Sequence, residues 1–123
     1  MQNAIISIGI YTIVLALSQI FLKIGVSQIG GFKINSFADI VALVPAILST
    51  PLLMLGIILM GGSFFFWMYI LSWFKLSLVF PLTAMTYVFV AILASIFLGE
   101  KLLWINYLGI ILIAAGIGFL VYK

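Results

Sequence analysis

The chain has 123 residues, of which 67% are hydrophobic and 6% are charged, and its formal net charge is +3. Soluble domains are only about half apolar, so this composition predicts an all-α integral membrane protein. The five lysines are scattered, and there is no histidine or cysteine, which excludes disulfides, most transition-metal sites and a clustered basic face for nucleic acid. We therefore expect no metal, no cofactor and no nucleic-acid partner.

The first apolar segment runs from about Asn3 to Gln28 and stops at the helix-ending pair Gly30-Gly31. A bilayer core of about 30 Å needs about 20 helical residues, so this segment is long enough to span. It has no basic stretch before the apolar run and exceeds the length of a signal-peptide core. We therefore interpret it as a membrane helix.

A short helix is predicted after this span. Ser36 and Asp39 have the spacing of a capping box, and the apolar stretch 40–48 follows them. Because that stretch is too short to cross a bilayer, we expect an interfacial or re-entrant helix. The alternative is that it begins a long second helix, kinked at Pro45 and Pro51.

Three more segments reach spanning length, at about 52–74, 78–98 and 103–122. Thr50-Pro51 has the pattern of an N-cap followed by proline at the first helical position, and Ser77 is the expected cap of the third span. Pro81 then lies in the first turn, where its missing amide is tolerated. Short connections make neighbouring helices antiparallel, so residues 1–123 are expected to form one four-helix transmembrane domain. Four aromatic side chains near the span ends are expected at headgroup level: Trp73, Trp104, Tyr107 and Tyr122.

The lysines near the span ends give almost no orientation bias. Lys75 and Lys123 flank the spans on one side, and Lys33 and Lys101 on the other. Such a chain can insert both ways, and two opposite copies would form the inverted pair that many transporters use. The alternative is that the insertion machinery or a partner sets one orientation.

A second subunit is expected on two grounds. Four helices of about 10 Å diameter leave little room for an enclosed path. Small residues also recur at helical spacing on the last span, where they allow close backbone approach across a dimer seam or within the bundle: Gly109, Ala114, Gly116 and Gly118.

Lys23 is the most informative residue, because a charge inside a membrane helix costs free energy unless another group pairs with it. Both acids, Asp39 and Glu100, lie in connecting segments, so we expect an external anion. Lys23 then pairs with a lipid phosphate at headgroup depth, and Gln19, one turn earlier, hydrogen-bonds to phosphate or sugar oxygens. The expected lining is a polar stripe on one side of the first helix: Thr12, Gln19, Lys23 and Ser27. The alternative is that Lys23 snorkels to the interface.

Other polar residues allow two interpretations. Thr83, Thr86 and Tyr87 are candidates to face a cavity, but threonine hydroxyls often bond back to their own helix. Glu100 is expected to cap a turn or to pair with a nearby lysine. The aromatic run 64–69 predicts a lipid-facing band or a surface that stacks on sugars.

Five motifs follow one another along the chain: Ser18-Gln19-Ile-Phe-Leu-Lys23, Phe65-Phe66-Trp67 with Leu71, Leu78-Val-Phe-Pro81-Leu, a small-residue run to Glu100, and Gly109 to Gly116. In this order they resemble the four-helix members of the drug/metabolite transporter superfamily, over nearly the whole chain. The turn from Gln19 to Lys23 is more similar to the paired subunits that flip aminoarabinose-phosphoundecaprenol than to the small multidrug resistance exporters. The resemblance assigns Trp67, Pro81 and Glu100 to family-matched positions.

The resemblance implies an antiparallel homodimer or heterodimer that moves a polyisoprenyl-phosphate lipid or a sugar linked to it across the cytoplasmic (inner) membrane. The drug exporters use a glutamate within the first helix, and no carboxylate occurs before Gln28 here. A cation or drug exporter using Asp39 or Glu100 is one alternative, and a non-transporting accessory subunit is another. We expect no enzymatic chemistry, because no nucleophile and base pair can be assembled without His, Cys or an embedded acid.

Overall fold

A computed structural model describes residues 2–122, which form six helices and no strand. They are α1 (Gln2–Gln28), α2 (Phe37–Ser49), α3 (Pro51–Trp73), α4 (Leu76–Leu82), α5 (Met85–Phe97) and α6 (Trp104–Val121). Four stretches are long and apolar enough to cross a membrane: Asn3–Gln28, Pro51–Trp73, Leu76–Phe97 and Trp104–Val121. This confirms the prediction of an all-helical, multi-pass membrane protein. Lys123, which entered the orientation argument, lies outside the described residues.

The predicted end of α1 is confirmed at its glycine pair. Gly30 and Gly31 have φ values of 77° and 80°. Their amides donate to the carbonyls of Ser27 at 3.2 Å and Val26 at 3.0 Å, respectively. This is the Schellman pattern, in which a left-handed residue reverses the chain and the last helical carbonyls still find donors.

The capping box that begins α2 is also confirmed. The Asp39 amide donates to the Ser36 hydroxyl. The amides of Asn35 and Ser36 both donate to the Asp39 carboxylate at 2.9 Å. Bonds from the Asn35 amide and then from Ser36 lower the pKa of the Asp39 carboxyl below its usual 3.8, because they favour its charged form.

α2 and α3 are separate helices rather than one long kinked helix. Thr50 between them is extended, with φ −103° and ψ 103°, and Pro51 occupies the start of α3 as predicted. The Thr50 hydroxyl donates to the Ala46 carbonyl at 2.8 Å and so closes α2 instead of capping α3. Pro45 is accommodated within α2.

The third span has a tightened turn at its middle. It begins at Leu76 with Lys75 as N-cap, so the prediction that Ser77 caps it is wrong. After Pro81 the amides of Ala84 and Thr86 donate three residues back, to the carbonyls of Pro81 at 3.1 Å and Thr83 at 2.9 Å. Bonds of this spacing are those of a 3₁₀ turn, which here joins α4 to α5. Pro81 lies inside α4 rather than in its first turn as predicted, and its missing amide removes one helical hydrogen bond just before this turn.

α1 is the central helix and packs on both α3 and α5. It runs antiparallel to α3, because Gly25 meets Leu53, Leu22 meets Gly56, and Tyr11 stacks on Trp67 at the opposite end. Near that end a small apolar core joins α1, α3 and α4: Ala4, Ile8, Ile70, Val79 and Leu82.

α6 lies at the periphery. It touches α5 and α4, and none of its residues is buried. A Cβ placed on Gly109, Gly116 or Gly118 would meet no neighbouring atom within 4 Å among the described residues. These glycines therefore do not serve close packing inside the single chain.

Candidate functional site

A cavity of about 740 Å³ lies between α1, α5 and α6. Helix α1 contributes Tyr11, Leu15 and Gln19, which are four residues apart and therefore share one face. Most of the remaining wall is aliphatic, from Val90, Ala91, Ala94, Leu102, Gly109, Ile110 and Ile113. Hydrogen-bonding side chains complete it: Thr83, Thr86, Tyr87, Glu100 and Asn106. The cavity is thus largely apolar with a few polar groups.

Two polar groups of the cavity wall lie at one end of the bundle, which we call the mouth. α1 and α5 end on that side and α6 begins there, which brings Glu100 and Asn106 to the same end. Gln19 lies nine residues before the end of α1, or about 14 Å at 1.5 Å per residue. A ligand in the cavity would therefore meet a carboxylate and an amide at the mouth and a second amide deeper inside.

Glu100 reaches the cavity because of the turn that follows α5. Gly99 has φ 65°, a left-handed conformation that only glycine adopts readily. The Glu100 amide donates back to the Ala94 carbonyl at 3.3 Å. No ion pair joins the Glu100 carboxylate to a lysine in the described part of the chain, so it lines the cavity as an exposed charge.

Lys23 lies one turn beyond Gln19, is exposed, and is not among the lining residues. Two other members of the predicted stripe, Thr12 and Ser27, are also outside the cavity wall. Thr12 is fully buried and donates to the Gly9 carbonyl at 2.9 Å, and Ser27 donates to the Lys23 carbonyl at 2.9 Å. Of the stripe, the structure brings only Gln19 into the cavity.

The candidate residues on the third span line the cavity in different ways. Tyr87 is exposed. The Thr83 hydroxyl donates to the Phe80 carbonyl at 2.6 Å, as helix threonines often do. The Thr86 hydroxyl oxygen is buried and has no hydrogen-bond partner. Pro81 does not line the cavity, but its tightened turn lies next to these residues in the chain.

Trp67 supports the wall from behind. Its ring stacks on Tyr11 with centroids 5.2 Å apart and planes at 28°, and it is 6.5 Å from Phe80. Most of the aromatic run is exposed, including Phe64, Phe65 and Tyr69. Trp67 therefore contacts the cavity through Tyr11.

The small residues of α6 do not share one role. Gly109 lines the main cavity, and Ala114 lines a second one of about 240 Å³ with Met85, Val88, Phe89 and Ile117. Gly116 and Gly118 line neither cavity. They remain on the open surface of α6.

Sequence reasoning did not select Tyr11, Leu15 or Asn106. Tyr11 and Leu15 precede Gln19 by two turns and one turn, so extending the Gln19 face towards the N-terminus would have found them. Asn106 is an amide in the first turn of the last span. A polar side chain within an apolar membrane helix is a candidate functional residue, and this applies to Asn106 as it does to Gln19.

Residues 2–122 contain no group of three or more His, Cys, Asp or Glu side chains that could hold a metal ion. Comparison of the chain with protein-family models, curated proteins and solved structures gives no match. The functional argument therefore depends on the cavity and its side chains.

Proposed function

We propose that the protein is a small transporter subunit that moves a polyisoprenyl-phosphate lipid, or a sugar linked to such a lipid, across the cytoplasmic membrane by alternating access. The observation that carries this proposal is the cavity of about 740 Å³ within the membrane spans, aliphatic over most of its wall with a few polar side chains. Small-molecule sites have volumes of about 300–1,000 Å³ and the same mixture of apolar wall and few polar groups.

The wall suits an amphipathic ligand. Leu15, Val90, Ile110 and Ile113 offer an apolar surface to an isoprenoid chain, whose burial is favourable without directional contacts. The amides of Gln19 and Asn106 can donate to and accept from a polar headgroup. This combination suits a lipid whose tail stays among apolar side chains while its headgroup meets the amides.

Lys23 is the proposed partner of the lipid phosphate. It lies five residues before the end of α1, about 7.5 Å at 1.5 Å per residue, and so near headgroup depth. It follows Gln19 on the same helical face. A phosphate at the cavity mouth would be within reach of a long, exposed ammonium side chain, and the charge-assisted contact would hold the headgroup.

A second four-helix subunit, identical or related, is proposed to pack against α6. The absence of buried residues on α6 and the open space beside Gly116 and Gly118 support this arrangement. Gly109, Ile110 and Ile113 of the same helix border the cavity, so a subunit on α6 would lie next to the transport path. An antiparallel pair is the form that the weak lysine bias favours.

We also propose that α2 lies in the membrane interface. Its exposed apolar side chains share one face: Phe37, Ile40, Val41, Val44 and Leu48. Its first turn carries the exposed polar capping box. An amphipathic helix of this kind buries its apolar face at the boundary between headgroups and acyl chains.

The test is translocation of labelled undecaprenyl phosphate in proteoliposomes that contain only the purified chain. We expect Lys23→Met and Gln19→Leu each to slow it about tenfold, since each loses a hydrogen bond to a charged or polar headgroup. Lys33→Met is the matched control, because Lys33 is an exposed lysine that lies in the α1–α2 connection, outside the membrane spans and away from Gln19 in the helix. Equal rates for all variants would reject the proposed site, whereas movement by the purified chain alone would reject the accessory-subunit alternative.

A cation or drug exporter is the second candidate, and the position of Glu100 in the cavity wall favours it. Asp39 is an unsuitable coupling acid because its carboxylate is held in the capping box of α2. In this mechanism Glu100→Gln abolishes proton-driven uptake of tetraphenylphosphonium, while Asp39→Asn leaves it unchanged. Absence of such uptake in the unmodified protein would exclude this candidate.

A further inference from the structure

The Thr86 hydroxyl is the exception among the buried or cavity-lining serine and threonine hydroxyls of the membrane spans. Its oxygen is buried and has no hydrogen-bond partner among the described residues. The comparable groups all donate to a carbonyl three residues earlier in their own helix: Thr12 to Gly9, Ser18 to Leu15, Ser63 to Met60, and Thr83 to Phe80. An unpaired hydroxyl within a membrane span raises the free energy of the folded protein. The position of the Thr86 hydroxyl therefore needs a physical reason.

Thr86 lies at the tightened turn between α4 and α5, and its hydroxyl bonds to neither of its usual acceptors. A helical threonine bonds to the carbonyl three or four residues back, which for Thr86 means Thr83 or Leu82. The Thr83 carbonyl already accepts the Thr86 amide at 2.9 Å. The backbone at Thr83 and Ala84 has ψ values of −15° and −18°, away from α-helical values near −42°. The unpaired hydroxyl of Thr86 therefore lies on the cavity wall where the backbone departs from α-helical geometry.

The surroundings of Thr86 suit a hydroxyl-bearing ligand. Thr86 lines the cavity together with Gln19, Tyr87 and Asn106. Hydroxyl and amide groups both donate and accept hydrogen bonds. A sugar hydroxyl does the same, so each such contact can use both capacities. A phosphate only accepts and an ammonium only donates, so either would leave part of this set unused.

We propose that Thr86 is a specificity-determining residue that recognises a hydroxyl group on the ligand, so that the cavity selects a sugar-type headgroup over a bare phosphate. This recognition requires the buried hydroxyl to turn towards the cavity when the ligand binds, by rotation of χ1 by about 120° from one staggered well to the next. Both wells are accessible to threonine in helices. This inference rests on the proposed function, because it takes the cavity as the ligand site.

The experiment uses the full chain in lipid nanodiscs and two soluble probes with the same tail, hexyl β-D-glucoside and hexyl phosphate. Binding is followed by NMR shifts of the residues that line the cavity. The variants are Thr86→Val, which replaces the hydroxyl with a methyl, and Thr86→Ser, which keeps it. Thr83→Val is the matched control, because its hydroxyl lines the same cavity but is already bonded to the Phe80 carbonyl.

We expect Thr86→Val to weaken glucoside binding about fivefold, the effect of losing one neutral hydrogen bond. Hexyl phosphate binding should not change. The glucoside affinity of Thr86→Ser should stay within about twofold of that of the unmodified protein. The same is expected for Thr83→Val. The melting temperature of Thr86→Val should not fall, because removal of an unpaired hydroxyl costs no protein hydrogen bond.

Each of the following results would overturn the inference. Glucoside binding that survives Thr86→Val would show that the hydroxyl takes no part in it. Equal loss of both probes, or a lowered melting temperature, would show a structural role. If neither probe binds the unmodified protein, the cavity itself fails as the ligand site and the proposed function falls with it. If the unmodified protein binds the probes but glucoside binding does not depend on Thr86, only the inference fails, and undecaprenyl phosphate translocation can still support the proposed function.

Discussion

Gly25 of α1 lies directly against the backbone of Leu53 in α3. A Cβ added to Gly25 would come within 2.7 Å of the Leu53 Cα and amide nitrogen. One turn away the relationship is reversed, because a Cβ on Gly56 would come within 2.9 Å of the Leu22 amide nitrogen. The closest approach of α1 and α3 therefore depends on one glycine from each helix.

We expect Gly25→Ala and Gly56→Ala each to destabilise the protein by about 1–3 kcal/mol, because the added methyl meets backbone that cannot yield locally. The measurement is reversible unfolding in detergent. Gly9→Ala in α1 and Gly61→Ala in α3 are the controls, since both sites are open, and alanine at such helix positions is favourable by about 0.5–1 kcal/mol. Similar losses of stability at all four positions would show that the close approach of α1 and α3 does not depend on glycine.

The capping box makes a prediction about pH. Because the pKa of Asp39 is lowered below 3.8 in the folded state, its contribution to α2 is fully present above that ordinary pKa and is lost as pH falls through the lowered value. The carboxyl carbon of Asp39 should therefore titrate below 3.8 by NMR. Ser36→Ala should move the midpoint upwards, because the Ser36 hydroxyl is among the groups that lower this pKa. A midpoint at or above 3.8 in the unmodified protein would contradict the capping geometry.

The open face of α6 makes a prediction about assembly. Gly116→Leu and Gly118→Leu should abolish the proposed dimer while leaving the fold of the single chain intact, because no neighbouring atom lies within 4 Å of either site. The chain has no native cysteine, so one cysteine introduced at Phe119 reports the dimer by cross-linking in membranes. Gly61→Leu on α3 is the control, since that site is equally open. Unchanged cross-linking in the α6 variants would argue against a seam on this helix.

The stacked pair behind the cavity makes a prediction about coupling. Trp67→Leu and Tyr11→Leu should show an interaction free energy of about 0.5–1.5 kcal/mol in a double-mutant cycle of unfolding, because their rings stack at 5.2 Å. Trp104→Leu combined with Tyr11→Leu is the control, since Trp104 is 82% exposed and forms no aromatic pair in the described chain. Additive effects for the first pair would mean that Trp67 does not support the cavity wall.

Local signals in the sequence predicted the elements well. Runs of apolar residues determine the four membrane-length segments, because the bilayer thickness sets a minimum helix length. Gly30-Gly31 and Ser36 with Asp39 determine the end of α1 and the start of α2, since each satisfies nearby backbone groups with its own short-range bonds. The failure at Ser77 is also local, because helical structure begins one residue earlier, at Leu76.

Which side of each helix faces its neighbours was decided only by the tertiary structure. In a soluble protein the apolar stripe of a helix indicates the buried face, but here nearly every face is apolar and hydropathy does not distinguish them. Shape decides instead: the contact of Gly25 with Leu53 helps to fix how α1 meets α3, and the face with Tyr11, Leu15 and Gln19 borders the cavity. The Thr12 hydroxyl bonds to a carbonyl of its own helix, whereas the Thr86 hydroxyl, next to the tightened turn, has no partner among the described residues. Close packing and backbone geometry, which no pattern of residue types specifies alone, therefore determine which polar groups are available to a ligand.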